Sequence, residues 1–206
     1  MTKAILTNET IDHNIKILKD SLHPKIKYFN RQELILSPSS DINMMGIVMN
    51  GAAYLATINL DYQKRILDYY EANDVFYHCF ISSLGNDSYC ITAKTKCTVA
   101  FLDYREFIKE GSKTIVNLQD TLLADTVRRS LIHVDILSQR TLRNKLISYF
   151  DYYKKRKNSA SFVIPMTFTE LADYLAVDRS SMMREISKMK DENIITSVGQ
   201  KITLLI

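Results

Sequence analysis

The chain is short of the residues that punctuate or staple a fold. Its 206 residues hold 5 Gly, 3 Pro, 3 Cys and no Trp. So little Gly and Pro excludes collagen-like, linker-like and Gly-rich low-complexity classes. Cys79, Cys90 and Cys97 are odd in number, and their spacings of 11 and 7 fit neither a zinc ribbon nor a C-x-x-C redox pair. They read as thiols of a reducing compartment that act as small buried hydrophobes. No run approaches the ~18 apolar residues of a membrane span. The opening stretch, MTKAILTNETIDHNIKILKD, has no apolar h-region. No signal peptide is therefore expected, and the expected location is cytoplasmic.

What the chain has is enough apolar side chain for a real core, at 46% hydrophobic residues. The length allows one large domain or two small ones. Its 27 Lys+Arg against 23 Asp+Glu give a formal charge of +4, too little to name a partner if evenly spread. It is not evenly spread. Residues 1–138 hold 15 basic and 16 acidic residues, a net −1, whereas residues 139–206 hold 12 and 7, a net +5. A neutral segment is thus joined to one suited to an anionic polymer.

The texture also changes along the chain. Ile11, Ile15, Leu18 and Leu22 predict a short amphipathic helix over 9–22. From 26 to 102, short apolar runs alternate with turn-formers such as Ser37-Pro38-Ser39-Ser40 and Asn50-Gly51. Among these runs are Ile47–Met49, Tyr54–Ile58, Ile66–Tyr70, Val75–Ile81, Tyr89–Thr92 and Thr98–Leu102. This spacing predicts a β-sandwich or barrel. Residues 112–137 then run without Gly or Pro, through Ile115, Leu118 and Leu122, then Leu123, Val127, Leu131, Val134 and Leu137. That is a helix of about seven turns. Its apolar stripe needs a cover, and a second copy of itself is the simplest one. Leu142, Leu146, Phe150 and Tyr153 mark another helix over 139–153. Lys154-Lys155-Arg156-Lys157-Asn158-Ser159 reads as a basic loop, either solvated or in contact with phosphate.

The most informative segment is 166–206. Thr167-Phe168-Thr169-Glu170 is a capping box, with Met166 and Leu171 placed for a hydrophobic staple. That first helix ends near Ala176-Val177. Asp178 is placed to cap a second helix. Met182, Ile186 and Met189 point the second helix inward, and Arg179, Ser180, Met183, Arg184, Ser187 and Lys188 occupy its other face. Two short helices with a basic outer face on the second form a helix-turn-helix. Ile194–Ser197, the turn Val198-Gly199-Gln200 and Lys201–Ile206 form a hairpin behind it, the wing of a winged helix.

At this point the sequence resembles the Crp/Fnr family of bacterial transcription regulators, over nearly its whole length. The resemblance is carried by Thr169-Glu170-Leu171-Ala172, Asp178-Arg179-Ser180-Ser181-Met182-Met183-Arg184, Ile194-Ile195 and Gly199-Gln200-Lys201-Ile202. It is looser through Gly46–Gly51, Asn73-Asp74-Val75-Phe76 and Ala93–Ala100. It implies an α+β architecture. A cyclic-nucleotide-binding-like β jelly roll would occupy 1–111, a dimerisation helix 112–137 and a winged-helix DNA-binding domain 138–206. The implied protein is a homodimer on a palindrome of double-stranded DNA, and RNA polymerase counts among the partners such a regulator would meet. By position, Arg179, Ser180 and Arg184 are the base readers, Ser187 and Lys188 phosphate contacts, and Met183 and Thr169 complete the expected DNA face. The family commonly has Glu where Ser180 stands, so the half-site should differ from that of the cyclic-AMP receptor.

The expected sensor site departs from the family. Cyclic-nucleotide binders hold ribose and phosphate with a Gly-Glu pair and an Arg-Ser pair. Tyr77-His78 and Asp87-Ser88 stand at those positions. A carboxylate where the phosphate-binding Arg belongs repels an anion. The three cysteines cannot make the N-terminal iron–sulfur cluster of other members. No cofactor or metal is expected. The candidate effector pocket comprises Tyr77, His78, Ser88, Tyr89, Arg128 and Arg129, its ligand unknown. An alternative makes His78 and Cys79 the centre of a haem- or redox-sensing protein. Enzymatic function is not expected, because no G-x-S-x-G, P-loop, H-E-x-x-H or paired-carboxylate motif is present.

Overall fold

The computed structural model describes residues 16, 23–41, 43–58, 64–78, 89–111 and 113–206. The helix expected over 9–22 falls almost wholly outside these residues, as do Cys79, Asp87 and Ser88. The chain divides into two compact units, Met1–Val127 and Arg128–Ile206.

Among its described residues the first unit has eight strands: β1 (Lys25–Phe29), β2 (Leu34–Leu36), β3 (Met44–Asn50), β4 (Ala53–Ile58), β5 (Lys64–Tyr70), β6 (Val75–Tyr77), β7 (Tyr89–Ala93) and β8 (Cys97–Asp103). They form two antiparallel sheets, ordered β1-β8-β3-β6 and β2-β7-β4-β5. Two helices follow, α1 (Tyr104–Glu110) and α2 (Lys113–Ser138), the second crossing the boundary between units.

Val48, Phe76, Val99 and Phe101 of the first sheet meet Ile35, Leu55 and Ile91 of the second in one cluster. Cys97 joins that cluster, and burial pushes its thiol up to about 11, so it stays protonated as an apolar filler. On its other face the first sheet packs Met45, Ile47, Ala100 and Leu102 against Phe107 of α1 and Leu118 and Leu122 of α2. Strands β3 and β8 are thus covered on both sides, so they read as continuous apolar runs rather than alternating ones.

Two glycines are needed here. At Gly51 the Asn50-Gly51 turn takes φ +81°, and a Cβ there would lie 2.2 Å from the Lys96 carbonyl oxygen. At Gly46 a Cβ would stand 2.1 Å from Cζ of Phe76, whose ring lies across the strand.

The structure corrects some expectations. The strand expected over Val75–Ile81 stops at Tyr77, and His78 is already helical. A short helix not separately expected, α1, precedes the long one; it is capped by the Asp103 carboxylate accepting from Arg105 N at 2.8 Å and ended by left-handed Gly111. The long helix extends to Ser138, one residue past its expected end.

The second unit continues with α3 (Leu142–Lys157), β9 (Ser161–Val163), α4 (Phe168–Tyr174), α5 (Arg179–Asp191), β10 (Ile195–Val198) and β11 (Lys201–Leu204). The basic run Lys154–Lys157 is not a loop but the last turn of α3, closed by left-handed Asn158 at φ 48°. The reason is electrostatic. Cations are favoured at a helix C-terminus, and no breaker precedes Asn158. Strand β9, unexpected from the sequence, pairs with β11 to make a three-stranded sheet, β10-β11-β9. Phe162 on β9 packs against Phe150 and Tyr153 of α3, with ring centroids 6.4 and 6.0 Å apart.

Gly46→Ala should lower stability by roughly 1–3 kcal/mol, the usual cost of overpacking a tight core. The reading is a lower denaturant midpoint at unchanged slope. An unaltered midpoint would mean that the Phe76 ring gives way freely.

Candidate nucleic-acid interface

Helix α4 begins at the capping box. Thr167 Oγ1 accepts from Glu170 N at 3.3 Å, and Thr167 N donates to Glu170 Oε2 at 2.8 Å. The staple residues Met166 and Leu171 are both buried. Between α4 and α5 the chain turns through Ala176, held left-handed at φ +51°. Two side chains brace the carbonyls before it. His133 of α2 stacks on Tyr174 at 3.9 Å, with its Nε2 3.1 Å from the Tyr174 carbonyl oxygen. Lys145 of α3 donates to the Leu175 carbonyl at 3.4 Å. Neither brace was foreseen, because each partner lies 30 residues or more away in sequence.

Helix α5 is capped by Asp178. Its Oδ1 accepts from Ser181 N at 2.8 Å and from the Ser180 hydroxyl at 2.7 Å. Those two bonds, the serine hydroxyl first, pull the Asp178 carboxyl down to about 2. Met182, Ile186 and Met189 are buried and fix the inward face. Arg179, Ser180, Met183, Arg184, Ser187 and Lys188 are all exposed on α5, and Thr169 is exposed on α4. The structure therefore brings the six α5 candidates together on one surface. Arg184 folds back along it, its Nη2 donating to Ser181 Oγ at 3.2 Å.

The sign of that surface depends on a residue missing from the candidate set. Arg143, in the first turn of α3, donates to Glu185 at 2.6 Å and bidentately to Glu192 at 2.5 and 2.9 Å. The Glu192 carboxyl is held below its usual range by Arg143. Two carboxylates of α5 and its cap are thereby neutralised away from the exposed face. Arg179, Arg184 and Lys188 remain as exposed cations of that face, with Lys190 and the carboxylate of Asp191 exposed in the last turn. No local spacing signals Arg143, since its partners lie 42 and 49 residues on.

Beside α5 the hairpin β10–β11 turns at Gly199, φ +56°, with Val198 and Lys201 exposed at its tip. Lys201 is a wing cation absent from the candidate set.

Residues 144–205 match the Crp-like helix-turn-helix domain family. A probable transcriptional regulator, flp, of Lacticaseibacillus casei is 23% identical over 118 residues, 56% of this chain. The match spans about half of that relative, 52% of its length. The structure is similar to FixK2 from Bradyrhizobium japonicum, with TM-score 0.71 and 17% identity over 89% of this chain and 93% of the other. It is also similar to a CRP-family transcriptional regulator from Thermus thermophilus, with TM-score 0.64 and 19% identity over 87% and 92%. Residues 144–205 thus belong to the Crp-like helix-turn-helix domain family. The two structural likenesses are likenesses of fold.

Within the first unit the expected effector residues Tyr77 and Tyr89 pack in different clusters. Tyr77 packs in the cluster between the first sheet and helices α1 and α2, its ring 5.6 Å from that of Tyr104. Tyr89 packs against the other cluster, between the two sheets. His78 is 2% exposed, its Nδ1 2.8 Å from the Asp41 carbonyl oxygen. Arg128 is exposed and Arg129 buried, both in the second unit. Ser88 lies outside the described residues. Among the described residues no group of three or more His, Cys, Asp or Glu is placed to hold a metal, and no helix is long and apolar enough to cross a membrane.

The Asp178 cap is a pH-dependent element. Its carboxyl sits near 2 when folded against a reference of 3.8, so its contribution is complete above about 3.8 and is lost as pH falls through about 2. Asp178→Asn keeps a cap but removes the titration. Between pH 5 and pH 2 the wild type should lose more thermal stability than Asp178→Asn. Equal losses in the two melting series would sink this account.

Proposed function

We propose that the protein is a sequence-specific DNA-binding transcription regulator, acting as a homodimer on a palindromic operator. The observation that carries the reading is the exposed face of α5. Three cations, two hydroxyls and one thioether lie on one helix surface, in a domain of the Crp-like helix-turn-helix family. Placed in a major groove, Arg179 and Arg184 present forks that match guanine O6 and N7. Ser187 and Lys188 lie further along the helix and suit phosphate. Thr169 on α4 and Lys201 on the wing supply flanking contacts. Binding should weaken steeply as salt rises, because each neutralised phosphate releases counterions.

Dimerisation is supported by α2. Val127, Leu131 and Val134 are 57, 64 and 63% exposed and follow one another at spacings of 4 and 3. Such a seam is self-complementary and pairs two copies isologously. Two recognition helices would then enter successive major grooves about 34 Å apart.

The first unit is the sensor in this reading. Tyr77-His78 stand where the family's cyclic-nucleotide binders have Gly-Glu, so a cyclic nucleotide held in the usual manner is not its signal. Its effector is unidentified. A cytoplasmic setting and contact with RNA polymerase follow from the same reading.

Arg184→Ala should weaken binding to a selected operator by about 1–3 kcal/mol and blur one guanine position. Titration on matched and mismatched duplexes measures both, and unchanged affinity would refute the assignment. Leu131→Glu sets two carboxylates against each other at the seam. Light scattering should find a monomer, with operator affinity lower by about 100-fold or more as the second half-site is lost. A variant that stays dimeric would place the interface elsewhere.

A further inference from the structure

We infer that the first turns of α5 impose a particular base pattern: Ser180 accepts from an adenine or cytosine amino group, and Met183 covers a neighbouring thymine methyl. This rests on the DNA-binding reading above and deepens it.

The Ser180 part follows from where its proton goes. Its hydroxyl lies 2.7 Å from Asp178 Oδ1. Above pH 4 the Asp178 carboxyl is ionised, so it can only accept, and the shared proton must be the serine's. A hydroxyl has one proton and two lone pairs. With the proton turned back to the helix cap, the outward side of Ser180 is an acceptor alone. In the major groove only adenine N6 and cytosine N4 donate, whereas guanine O6 and N7 and thymine O4 accept. Ser180 is therefore matched to the first pair and repelled by the others. A free serine would take either kind.

The Met183 part follows from an exposed apolar side chain with no apolar neighbour on its face. Met183 is 36% exposed, on a surface otherwise formed by Arg179, Ser180, Arg184, Ser187 and Lys188. Its companions Met182 and Met189 are buried, so the core does not call for it. The one apolar feature on a base-pair edge in the major groove is the thymine methyl. The long thioether arm adapts its reach to such a target. Met183 follows Ser180 by three residues, so their Cβ atoms lie about 5–6 Å apart on one face. With about 3.4 Å between base pairs, the methyl and the amino group belong to pairs one or two steps apart.

The test starts from operator sites selected from a random duplex pool by the full-length protein. Each thymine of the selected half-site is then replaced singly by uracil, which removes only the methyl. Each adenine is replaced by purine, and each cytosine by pyrimidin-2-one, which removes only the amino group. For the wild type, one uracil position should cost about fourfold in affinity, the worth of one buried methyl. In Met183→Ala the same replacement should cost nothing. One amino-group deletion, within two base pairs, should weaken the wild type but not Ser180→Ala. Both positions are exposed and alanine favours helix, so circular dichroism should find the variants folded. A half-site without thymine under the helix, a methyl effect that survives Met183→Ala, or an amino-group effect that survives Ser180→Ala would overturn the inference. If sites are enriched and Arg184→Ala weakens them but no methyl matters, the inference alone fails. If nothing is enriched, the DNA-binding reading fails with it.

Discussion

Three buried side chains govern how this protein meets its surroundings. Met182, Ile186 and Met189 set the rotation of α5 about its own axis, and that rotation decides which residues face outward. A turn of about 100° per residue means that a shift by one position would exchange Arg184 for Glu185 on the outer face. Arg143 opposes the same error by charge. It pairs with Glu185 and Glu192, so a rotated helix would break charge-assisted bonds as well as apolar packing. The cap at Asp178 sets where the helix begins, and the packing sets how it is rolled. The basic surface is the joint product.

The first unit solves a different problem. A four-stranded sheet with one polar face can stand in water, but β1-β8-β3-β6 has apolar residues on both faces. It therefore needs the second sheet on one side and helices on the other. Closeness follows from this double demand. Phe76 lies against a strand only because Gly46 offers no side chain there. The same layering separates Tyr77 from Tyr89: Tyr77, on the first sheet, packs toward the helices, and Tyr89, on the second, packs toward the space between the sheets. These two residues of the expected sensor site thus fall on opposite sides of the first sheet.

What could be read beforehand follows the range of the forces involved. The capping box at Thr167, the cap at Asp178, the inward triplet of α5 and the Asn50-Gly51 turn are local, and each was legible from spacing within a few residues. The strand series was legible as a class, not as two sheets, because pairing such as Lys25 with Phe101 joins distant segments. Strand β9 has three residues and no pattern of its own; its partner β11 makes it a strand. Lys154–Lys157 looked like a loop because four cations seemed to need water, yet the end of a helix welcomes them. On the outer face of α5 the exposed residues were legible. The state of the Ser180 proton was not, since it depends on an atom-to-atom distance. Arg143 was hidden for the same reason that β9 was.

The contact between His133 and Tyr174 has a mechanical consequence. The ring of one lies flat on the ring of the other, 3° from parallel, and a hydrogen bond pins the same pair. Helix α4 is therefore tied to the end of α2 by a contact in space as well as through the peptide chain. An element held at two places has fewer ways to turn against its neighbour than one held at its covalent link alone, so the position of α4 is fixed from two sides.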